Sequence, residues 1–405
     1  MNSQSELGLA GKKRLFHIVG LDTLGGVEAL YSHFISSTRD LFEHTTMNDR
    51  DSLSASISLS VIQSSVAFYY TKRLGFIPIP KKPESLRAAY LNHCIRKERP
   101  DTVVVWNKVE GFDFSKLSDD VEIVYYEHGA GWYSPRPELA TQFLSRVDKV
   151  ICNSAAAEKV LKARWALPGK TNVSICPNGI RDKCLPAVSP SPRLLPEKRA
   201  VLGIACRMVG RKGVPLVLHM LKILLESGCD VSLKVAGQGE MLAVYEQLAV
   251  DLELKDRVEF LGFVEDMSEF YTGIDIFLCP SITEPFVLVA AEAAAHGIPS
   301  VVSGVDGLQE VILDQVMGEV SPPVLSMTEY VALGGTVESL LDVTFHGGKV
   351  AAPMAAAPAD LAARVCALLS DPKRYNDYSK ACIREAYGRL SGQSYLQCLA
   401  ELLLA

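Results

Sequence analysis

The stretch Gly273-Ile-Asp-Ile-Phe-Leu-Cys-Pro280-Ser-Ile-Thr-Glu284-Pro-Phe-Val-Leu-Val-Ala-Ala-Glu292-Ala-Ala-Ala-His-Gly297-Ile-Pro299 reads as strand, loop, helix and the start of a next strand. A short apolar run stopped by proline gives the strand, and an alanine-rich run ended by glycine gives a buried helix. Two carboxylates, Glu284 and Glu292, stand on either side of the helix start. At roughly 1.5 Å of rise per residue they lie on the order of 10 Å apart. That is the span of a sugar and a ribose joined by a diphosphate. The helix start offers unpaired N–H groups and a positive dipole end to such a diphosphate, while each carboxylate can accept hydrogen bonds from hydroxyls. Two glutamates on an alanine-rich helix are equally what a solvated face looks like, so the reading depends on the neighbours.

Outward from this stretch the same alternation repeats. Strand-like runs at Arg14–Gly20, Thr102–Trp106, Glu122–Tyr126 and Lys149–Asn153 precede Ala200–Cys206, Val231–Ala236, Arg257–Leu261, Ile274–Leu278 and Pro299–Ser303, with helical patterns between them. Alternation of this kind predicts α/β domains, each a parallel sheet covered by helices on both faces. The proline-rich segment Leu185-Pro-Ala-Val-Ser-Pro-Ser-Pro-Arg-Leu-Leu-Pro196 fits neither sheet and reads as a linker. The expected division is therefore residues 1–184, a linker over 185–197, a second domain over 198–372, and a helical C-terminal segment over 373–405. A second break at Ser321-Pro-Pro323, followed by a glycine- and alanine-rich stretch from Gly334 to Ala359, reads as a loop or insertion late in the second domain.

Ligands of doubly wound sheets bind beyond the carboxyl ends of the strands, so the residues that follow each strand carry the chemistry. After the first strand come Gly25 and Gly26, which permit close backbone approach before a helix, or simply a tight turn. After Glu122–Tyr126 comes Glu127-His128-Gly129, an imidazole at a strand end. After Ala200–Cys206 comes Arg207-Met-Val-Gly-Arg211-Lys212-Gly213, three cations suited to a departing diphosphate or to a solvated basic loop. Ser303-Gly-Val-Asp306-Gly307-Leu-Gln-Glu310 follows another strand and reads as a further wall of the same cleft.

The 405 residues are 48% hydrophobic and 22% charged, enough to bury two cores. No apolar stretch approaches the roughly 20 residues that cross a bilayer, and Met1-Asn-Ser-Gln-Ser-Glu6 lacks the features of a leader. A cytoplasmic protein is expected. Ten scattered cysteines without a Cys-x-x-Cys pattern suit buried free thiols in a reducing compartment, and eight histidines without ligand spacing predict no metal site. Residues 1–183 hold 24 Lys and Arg against 20 Asp and Glu, the remainder 17 against 27, so the first half favours anionic partners more. No nucleic-acid partner is expected.

Taken in order, Gly25-Gly26-Val-Glu28, Glu127-His128-Gly129, Pro177-Asn-Gly179, Arg207 with Lys212-Gly213, Gly237-Gln-Gly239, the Glu284 to Glu292 pair, His296-Gly-Ile-Pro299 and Gly307-Leu-Gln-Glu310 resemble the family-4 glycosyltransferases over about residues 14–320. The resemblance implies the GT-B fold, two Rossmann-like doubly wound domains facing a cleft. The first domain would bind acceptor and the second donor, with the C-terminal helix crossing back to the first. It implies that Glu292 binds the donor ribose, Glu284 and His128 contact the transferred sugar, and Arg207 and Lys212 hold the diphosphate. Gly25, Gly26, Gly237, Gly262, Phe263, Phe286, Val287 and Leu288 would complete the donor site. It further implies retention of anomeric configuration without a bound metal or other cofactor, the leaving phosphate oxygen helping to deprotonate the acceptor hydroxyl in a front-face attack stabilised by the cations. The family usually has glycine where this chain has Val287, and the stretch 322–358 fits the family poorly and receives no role.

The segment Lys72-Arg73-Leu-Gly-Phe76-Ile77-Pro-Ile79-Pro-Lys81-Lys82 sets apolar residues between two basic pairs, a pattern for peripheral contact with an anionic membrane or for an ordinary strand with solvated flanks. The expected function is a hexosyltransferase that carries a hexose-type sugar from a nucleotide-diphosphate sugar to a saccharide or lipid-linked acceptor. Cell-envelope (lipopolysaccharide-type) or extracellular polysaccharide assembly is the expected setting. The alternatives are a nucleotide-sugar epimerase of the same fold and a non-catalytic partner subunit.

Overall fold

The structure, a computed structural model, describes residues 11–23, 25–80, 85–115, 117–133, 136–188, 190–197, 199–338 and 342–405. The chain forms two compact units: one of Met1–Asn153, Arg164–Cys176 and Leu396–Ala405, the other of Ser154–Ala163 and Pro177–Tyr395. The expectation of no leader at Met1–Glu6 lies outside the described residues.

The first unit is built on β1 (Lys13–Val19), α1 (Gly26–Ser37), β2 (Phe42–Asn48), α2 (Ala55–Ser64) and β3 (Ala67–Tyr70). A small edge hairpin of β4 (Arg73–Leu74) and β5 (Ile77–Pro78) follows, then α3 (Ser85–Glu98) and β6 (Thr102–Trp106). The chain continues with β7 (Glu122–Glu127), α4 (Pro137–Leu144), β8 (Lys149–Cys152), α5 (Ala155–Arg164), which belongs to the second unit up to Ala163, and β9 (Asn172–Ile175), which closes the sheet of the first. The nine strands run in the order β5-β4-β3-β2-β1-β6-β7-β8-β9. Pairing is parallel from β3 to β9 and antiparallel at the edge hairpin. The order reverses at β1, between β2 and β6.

Strand β2 escaped the search for apolar runs because its buried face is polar. His44, Thr45, Thr46 and Asn48 are all buried there. Burial is tolerated because the donors and acceptors close on one another. Trp106 Nε1, which can only donate, gives its proton to His17 Nδ1 at 3.2 Å, which fixes the proton of His17 on Nε2. Nε2 then faces His44 Nδ1 at 3.0 Å, and His44 Nε2 faces the Thr38 hydroxyl at 3.1 Å, which donates to the Phe34 carbonyl at 2.7 Å. A second proton on either ring has no acceptor. Burial accordingly lowers both imidazoles, His17 well below its ordinary value and His44 to about 4.

The second unit contains β10 (Ala200–Ala205), α6 (Val214–Glu226), β11 (Val231–Ala236), α7 (Leu242–Asp251), β12 (Val258–Gly262) and α8 (Met267–Thr272). Then come β13 (Ile276–Cys279), α9 (Leu288–Ala295), β14 (Ser300–Ser303), α10 (Leu308–Val311) and β15 (Gly318–Ser321). Short pieces follow: β16 (Pro323–Leu325), α11 (Met327–Ala332), the hairpin of β17 (Thr344–His346) and β18 (Lys349–Ala351), and β19 (Ala355–Ala356). Helices α12 (Pro358–Leu369), α13 (Pro372–Tyr387) and α14 (Gly392–Leu404) end the chain. The six parallel strands run β12-β11-β10-β13-β14-β15. Alternate residues of each strand enter different cores: Leu202, Ile204, Ile276 and Leu278 pack with α6 and α12, whereas Ala205, Phe277 and Cys279 pack with α9 and α13. Helix α9 is nearly all alanine because every one of its alanines is buried, Ala290, Ala291 and Ala293–Ala295, against both the sheet and α13.

Three boundaries differ from the sequence division. Ser154–Ala163 belong to the second unit, because the first turn of α5 is held there: Glu310 accepts from the N–H groups of Ala155 and Ala156 at 2.7 and 2.8 Å. The proline-rich segment is anchored rather than free. Arg193 donates to the carbonyls of His296, Ile274 and Tyr271 at 2.9, 2.8 and 3.0 Å, and its own N–H bonds Ser379. Of residues 373–405 only the last ten join the first unit, where the carbonyls of Leu402 and Leu403 accept from Lys149 and Lys13.

The buried imidazoles set a pH window. Unfolded, each histidine takes up a proton near pH 6.5. Folded, neither does until far lower, so stability of the first unit is complete above that value and falls as pH drops from 6.5 toward 4. The slope is at most about 1.4 kcal/mol per pH unit for each histidine. Urea unfolding of the parent and of His44→Gln across pH 7 to 4 should show a shallower decline in the variant; parallel curves would contradict the neutral-pair account.

Candidate active site

In the second unit the strand order reverses at β10, which has β11 on one side and β13 on the other. The loops that leave the carboxyl ends of β10 and β13 are therefore neighbours. They touch through glycine: a β-carbon on Gly213, whose φ is +70°, would come within 2.2 Å of the Pro280 carbonyl oxygen. The Ile282 N–H donates to Arg211 O at 2.8 Å, and the Tyr330 hydroxyl supports the turn by donating to Gly210 O at 2.6 Å. This brings the Lys212 ammonium onto Oε2 of Glu284 as an ion pair. The Ser281 hydroxyl reaches the same oxygen at 3.4 Å. Oε1 makes no hydrogen bond among the described residues, so it is available to accept from a hydroxyl.

Glu284 is buried, and its backbone is fixed on both sides: its N–H donates to Asp306 Oδ2 at 2.7 Å, and its carbonyl accepts from the Gly307 N–H at 3.2 Å. Burial pushes the Asp306 carboxyl up to about 8, against the opposing pull of the N–H groups of Phe345 and Glu284. At the far end of the stretch, Glu292 lies on α9 and is buried too. The Tyr271 hydroxyl donates to its Oε2 at 2.9 Å and Arg181 reaches Oε1 at 3.5 Å. Two contacts leave lone pairs of this carboxylate for further donors.

Val287 caps α9 at φ −112°, a conformation any residue adopts, and its side chain is 2% exposed within the apolar cluster beneath the helix. The β-carbon that replaces glycine therefore strains nothing in the backbone. Phe286 is buried in the same cluster, with Leu288 partly buried against it. Arg207 is exposed, and its side chain makes no hydrogen bond or ion pair among the described residues. Gly237 and Gly239, at φ +127° and +159°, interlock with the loop after β10: their β-carbons would meet Cys206 O at 1.8 Å and Met208 O at 2.5 Å. The Gly237 N–H donates to Gly262 O at 2.7 Å, next to Phe263, which is 72% exposed. The structure thus assembles Lys212, Glu284 and the two glycine loops about the carboxyl ends of β10, β11, β12 and β13.

Three residues of this arrangement escaped the sequence reading. Arg181 follows the quoted Pro177-Asn-Gly179 and was within reach of it; Tyr271 carries no local signal. Asp306 was noticed only as part of a wall. Glu310, from the same motif, turns out to cap α5, so its carboxylate is engaged.

In the first unit, Glu127 is buried and accepts from Gly129 N–H, from Gly131 N–H at 2.8 Å and from the Tyr125 hydroxyl. Burial pushes its carboxyl up, and these donors oppose the shift. This turn, with Gly129 at φ +117°, orients His128 against Trp106 and Tyr126 at ring centroids of 6.1 and 4.1 Å. Both ring nitrogens of His128 are buried without a hydrogen-bond partner among the described residues, and burial lowers the imidazole to about 3. A neutral ring offers one donor and one acceptor. Gly25 caps α1, donating to Glu28 Oε2 at 3.0 Å, which a β-carbon there would approach to 2.6 Å; Gly26 opens the helix.

Among the described residues no group of three or more His, Cys, Asp and Glu is placed to hold a metal ion, and no helix is long and apolar enough to cross a membrane. None of the ten cysteines is in a disulfide among the described residues, with Cys152, Cys176 and Cys279 buried and Cys206 half-buried.

Residues 189–334 match the family described as glycosyl transferases group 1. An uncharacterised glycosyltransferase of Methanocaldococcus jannaschii is 38% identical over 114 residues, 28% of this chain and 29% of its own length. The lipopolysaccharide core biosynthesis glycosyltransferase LpsE of Rhizobium meliloti is 26% identical over 220 residues, 54% of this chain and 60% of its own length. The chain thus spans less than two thirds of each of these relatives. Among solved structures, Anabaena HepE in complex with UDP superposes with a TM-score of 0.73 at 18% identity, covering 96% of this chain and 99% of that one. Residues 189–334 thus match the glycosyl transferases group 1 family, and the chain has the GT-B fold.

Proposed function

We propose that this protein is a retaining glycosyltransferase that moves a hexose-type sugar from a nucleotide-diphosphate sugar to a saccharide or lipid-linked acceptor in lipopolysaccharide-type or other polysaccharide assembly. The observation that carries it is the Lys212–Glu284 pair at the strand-order reversal, with Glu292 on the helix that follows. Exposed Arg207 and the Lys212 ammonium supply cations for the diphosphate as its charge grows on departure. Glu284 Oε1 accepts from a sugar hydroxyl, and Glu292 from the ribose. Gly237, Gly262 and Phe263 line the base, while Phe286, Val287 and Leu288 bring the N-terminal turn of α9 to the donor. In the first unit, Gly25 and Gly26 allow close approach, and neutral His128 is a hydrogen-bonding partner for the sugar rather than a proton donor. The UDP complex of HepE and the lipopolysaccharide role in the name of LpsE support this reading.

Thermal melting with UDP, GDP, ADP, CMP and their sugar conjugates tests it. At a hundredfold excess over the dissociation constant, one nucleotide series should stabilise the protein by about 2.7 kcal/mol. Glu292→Ala and Arg207→Ala should weaken that gain. No shift with any nucleotide would remove the donor site.

The acceptor side includes a surface suited to an anionic membrane. Leu74, Phe76 and Ile77 sit at the tip of the β4–β5 hairpin, with Phe76 fully exposed and Gly75 turning at φ +59°. Lys72 leans on Asp51 at 3.4 Å and Arg73 lies over the Tyr70 ring at 3.6 Å; Lys81 and Lys82 lie outside the described residues. Residues 72–99 carry eight Lys and Arg against two Glu. Attraction of about 1 kcal/mol per basic residue near such a surface makes association salt-sensitive. In flotation with phosphatidylglycerol vesicles at low salt the parent should co-float, and Phe76→Ser/Ile77→Ser should not. A parent that stays at the bottom sinks the membrane contact.

A further inference from the structure

The hairpin of β17 and β18 lies in the stretch that received no role, yet one buried side chain ties it to the Glu284 loop. Asp306 is 2% exposed and sits at φ +50°, a conformation that favours glycine and persists in other residues only where surrounding bonds hold it. Its Oδ2 accepts the Glu284 N–H at 2.7 Å and its Oδ1 accepts the Phe345 N–H at 2.6 Å. The Asp306 N–H in turn donates to the Phe345 carbonyl at 2.7 Å, so the hairpin pairs with Asp306 through both backbone groups of one residue.

The hairpin is held from outside as well. The Lys159 ammonium lies 4.4 Å from the Phe345 ring centre, on helix α5. At the start of that helix the Ser154 hydroxyl donates to the Pro285 carbonyl at 3.0 Å. The bonds therefore close a ring: Glu284 to Asp306, Asp306 to Phe345, Phe345 to Lys159, and along α5 to Ser154 and back to Pro285. All of it lies in the second unit. Among the described residues no hydrogen bond or ion pair joins the ring to Glu292, Tyr271 or Arg181. The ring's bonds fix the backbone from which the Glu284 carboxylate projects, at Glu284 itself and at Pro285 beside it.

We propose that Asp306 is a positioning residue for Glu284, and that the β17–β18 hairpin acts through it to fix the carboxylate that reads the hexose of the donor. This rests on the donor-site reading given above. The consequence is selective: loosening the ring costs recognition of the sugar more than recognition of the nucleoside diphosphate, whose partners Glu292, Arg207 and the glycine loops lie outside the ring, while Lys212 is shared through its pair with Glu284. A merely structural Asp306 would lower stability and leave that ratio alone.

Titration calorimetry of the full chain with a nucleoside diphosphate and with its hexose conjugate, for the parent, Asp306→Gly and Asp306→Asn, tests this. Glycine suits the backbone conformation while removing both carboxylate bonds; asparagine keeps the shape but can accept only one of the two N–H groups with its oxygen. In both variants the affinity of the sugar conjugate relative to the bare diphosphate should fall by about tenfold, the loss of one or two buried hydrogen bonds. With turnover measured on the same conjugate, kcat should fall more than the affinity for the diphosphate. An unchanged ratio in a folded variant overturns the proposal, and Asp306→Asn decides the matter if Asp306→Gly does not fold. If the parent binds neither ligand of any nucleotide series, the donor-site reading falls and this proposal falls with it. A parent that binds both leaves the donor-site reading standing whatever the variants do.

Discussion

The 2.2 Å that would separate a β-carbon on Gly213 from the Pro280 carbonyl is the constraint on which the second unit's site depends. Parallel strands whose order reverses place two loops side by side, but adjacency alone leaves a gap between backbones of the width of their side chains. Removing one side chain closes that gap, and the Ile282 N–H then reaches Arg211 O. Lys212, one residue before the glycine, is thereby delivered to Glu284. Interlock of Gly237 and Gly239 with Cys206 and Met208 does the same on the other side of β10. The site is thus made of backbones brought close, with few side chains between them. Such surfaces present N–H groups and fixed charges rather than apolar walls, which suits a diphosphate.

An ion pair at this place is not there for stability alone. Lys212 and Glu284 are both largely out of water, and the desolvation of two such charges consumes most of what their attraction returns. Removing one partner would leave the other buried and unpaired, which is costly. The pair is best understood as two groups that hold each other's geometry until a ligand arrives. A diphosphate can take one of the remaining protons of the ammonium, which has three, while a hydroxyl takes the unoccupied oxygen of the carboxylate. Neither has to break the pair.

The parallel sheets were legible because their central strands are continuous apolar runs, as strands buried on both faces must be; Val103, Val104 and Val105 of β6 or Ile276–Cys279 of β13 leave little choice. Two of the missed strands, β2 and β15, have buried positions that are polar and satisfied. In β2 the His17–His44–Thr38 chain supplies the partners, and in β15 the buried Glu319 is met by Arg364, Arg374 and Tyr378. Partners that come from distant elements leave no periodic trace. The same limit applies to the site. Glycines and charges after strands were visible one by one, whereas the use of Glu310 as a helix cap and of Arg193 as a clasp on three carbonyls depends on what folds beside them.

Three departures from local rules stand at the Glu284 loop and at His128. Asp306 holds a glycine-like backbone angle, Glu284 is a buried carboxylate, and His128 keeps two buried ring nitrogens without hydrogen-bond partners among the described residues. Each is unfavourable by itself, and a sequence selected for stability alone would relieve all three with a glycine, an alanine and a leucine. The surrounding structure instead spends hydrogen bonds to maintain them: Asp306 has two N–H donors, the Glu284 backbone is bonded at both its N–H and its carbonyl, and the turn that aims His128 is fastened to Glu127. Valine at 287 follows the opposite logic. It sits at an ordinary backbone angle with its side chain in the core, and so it costs nothing. A difference from family habit that carries no strain needs no compensation, whereas a strained residue held by several bonds marks a place where geometry matters more than stability.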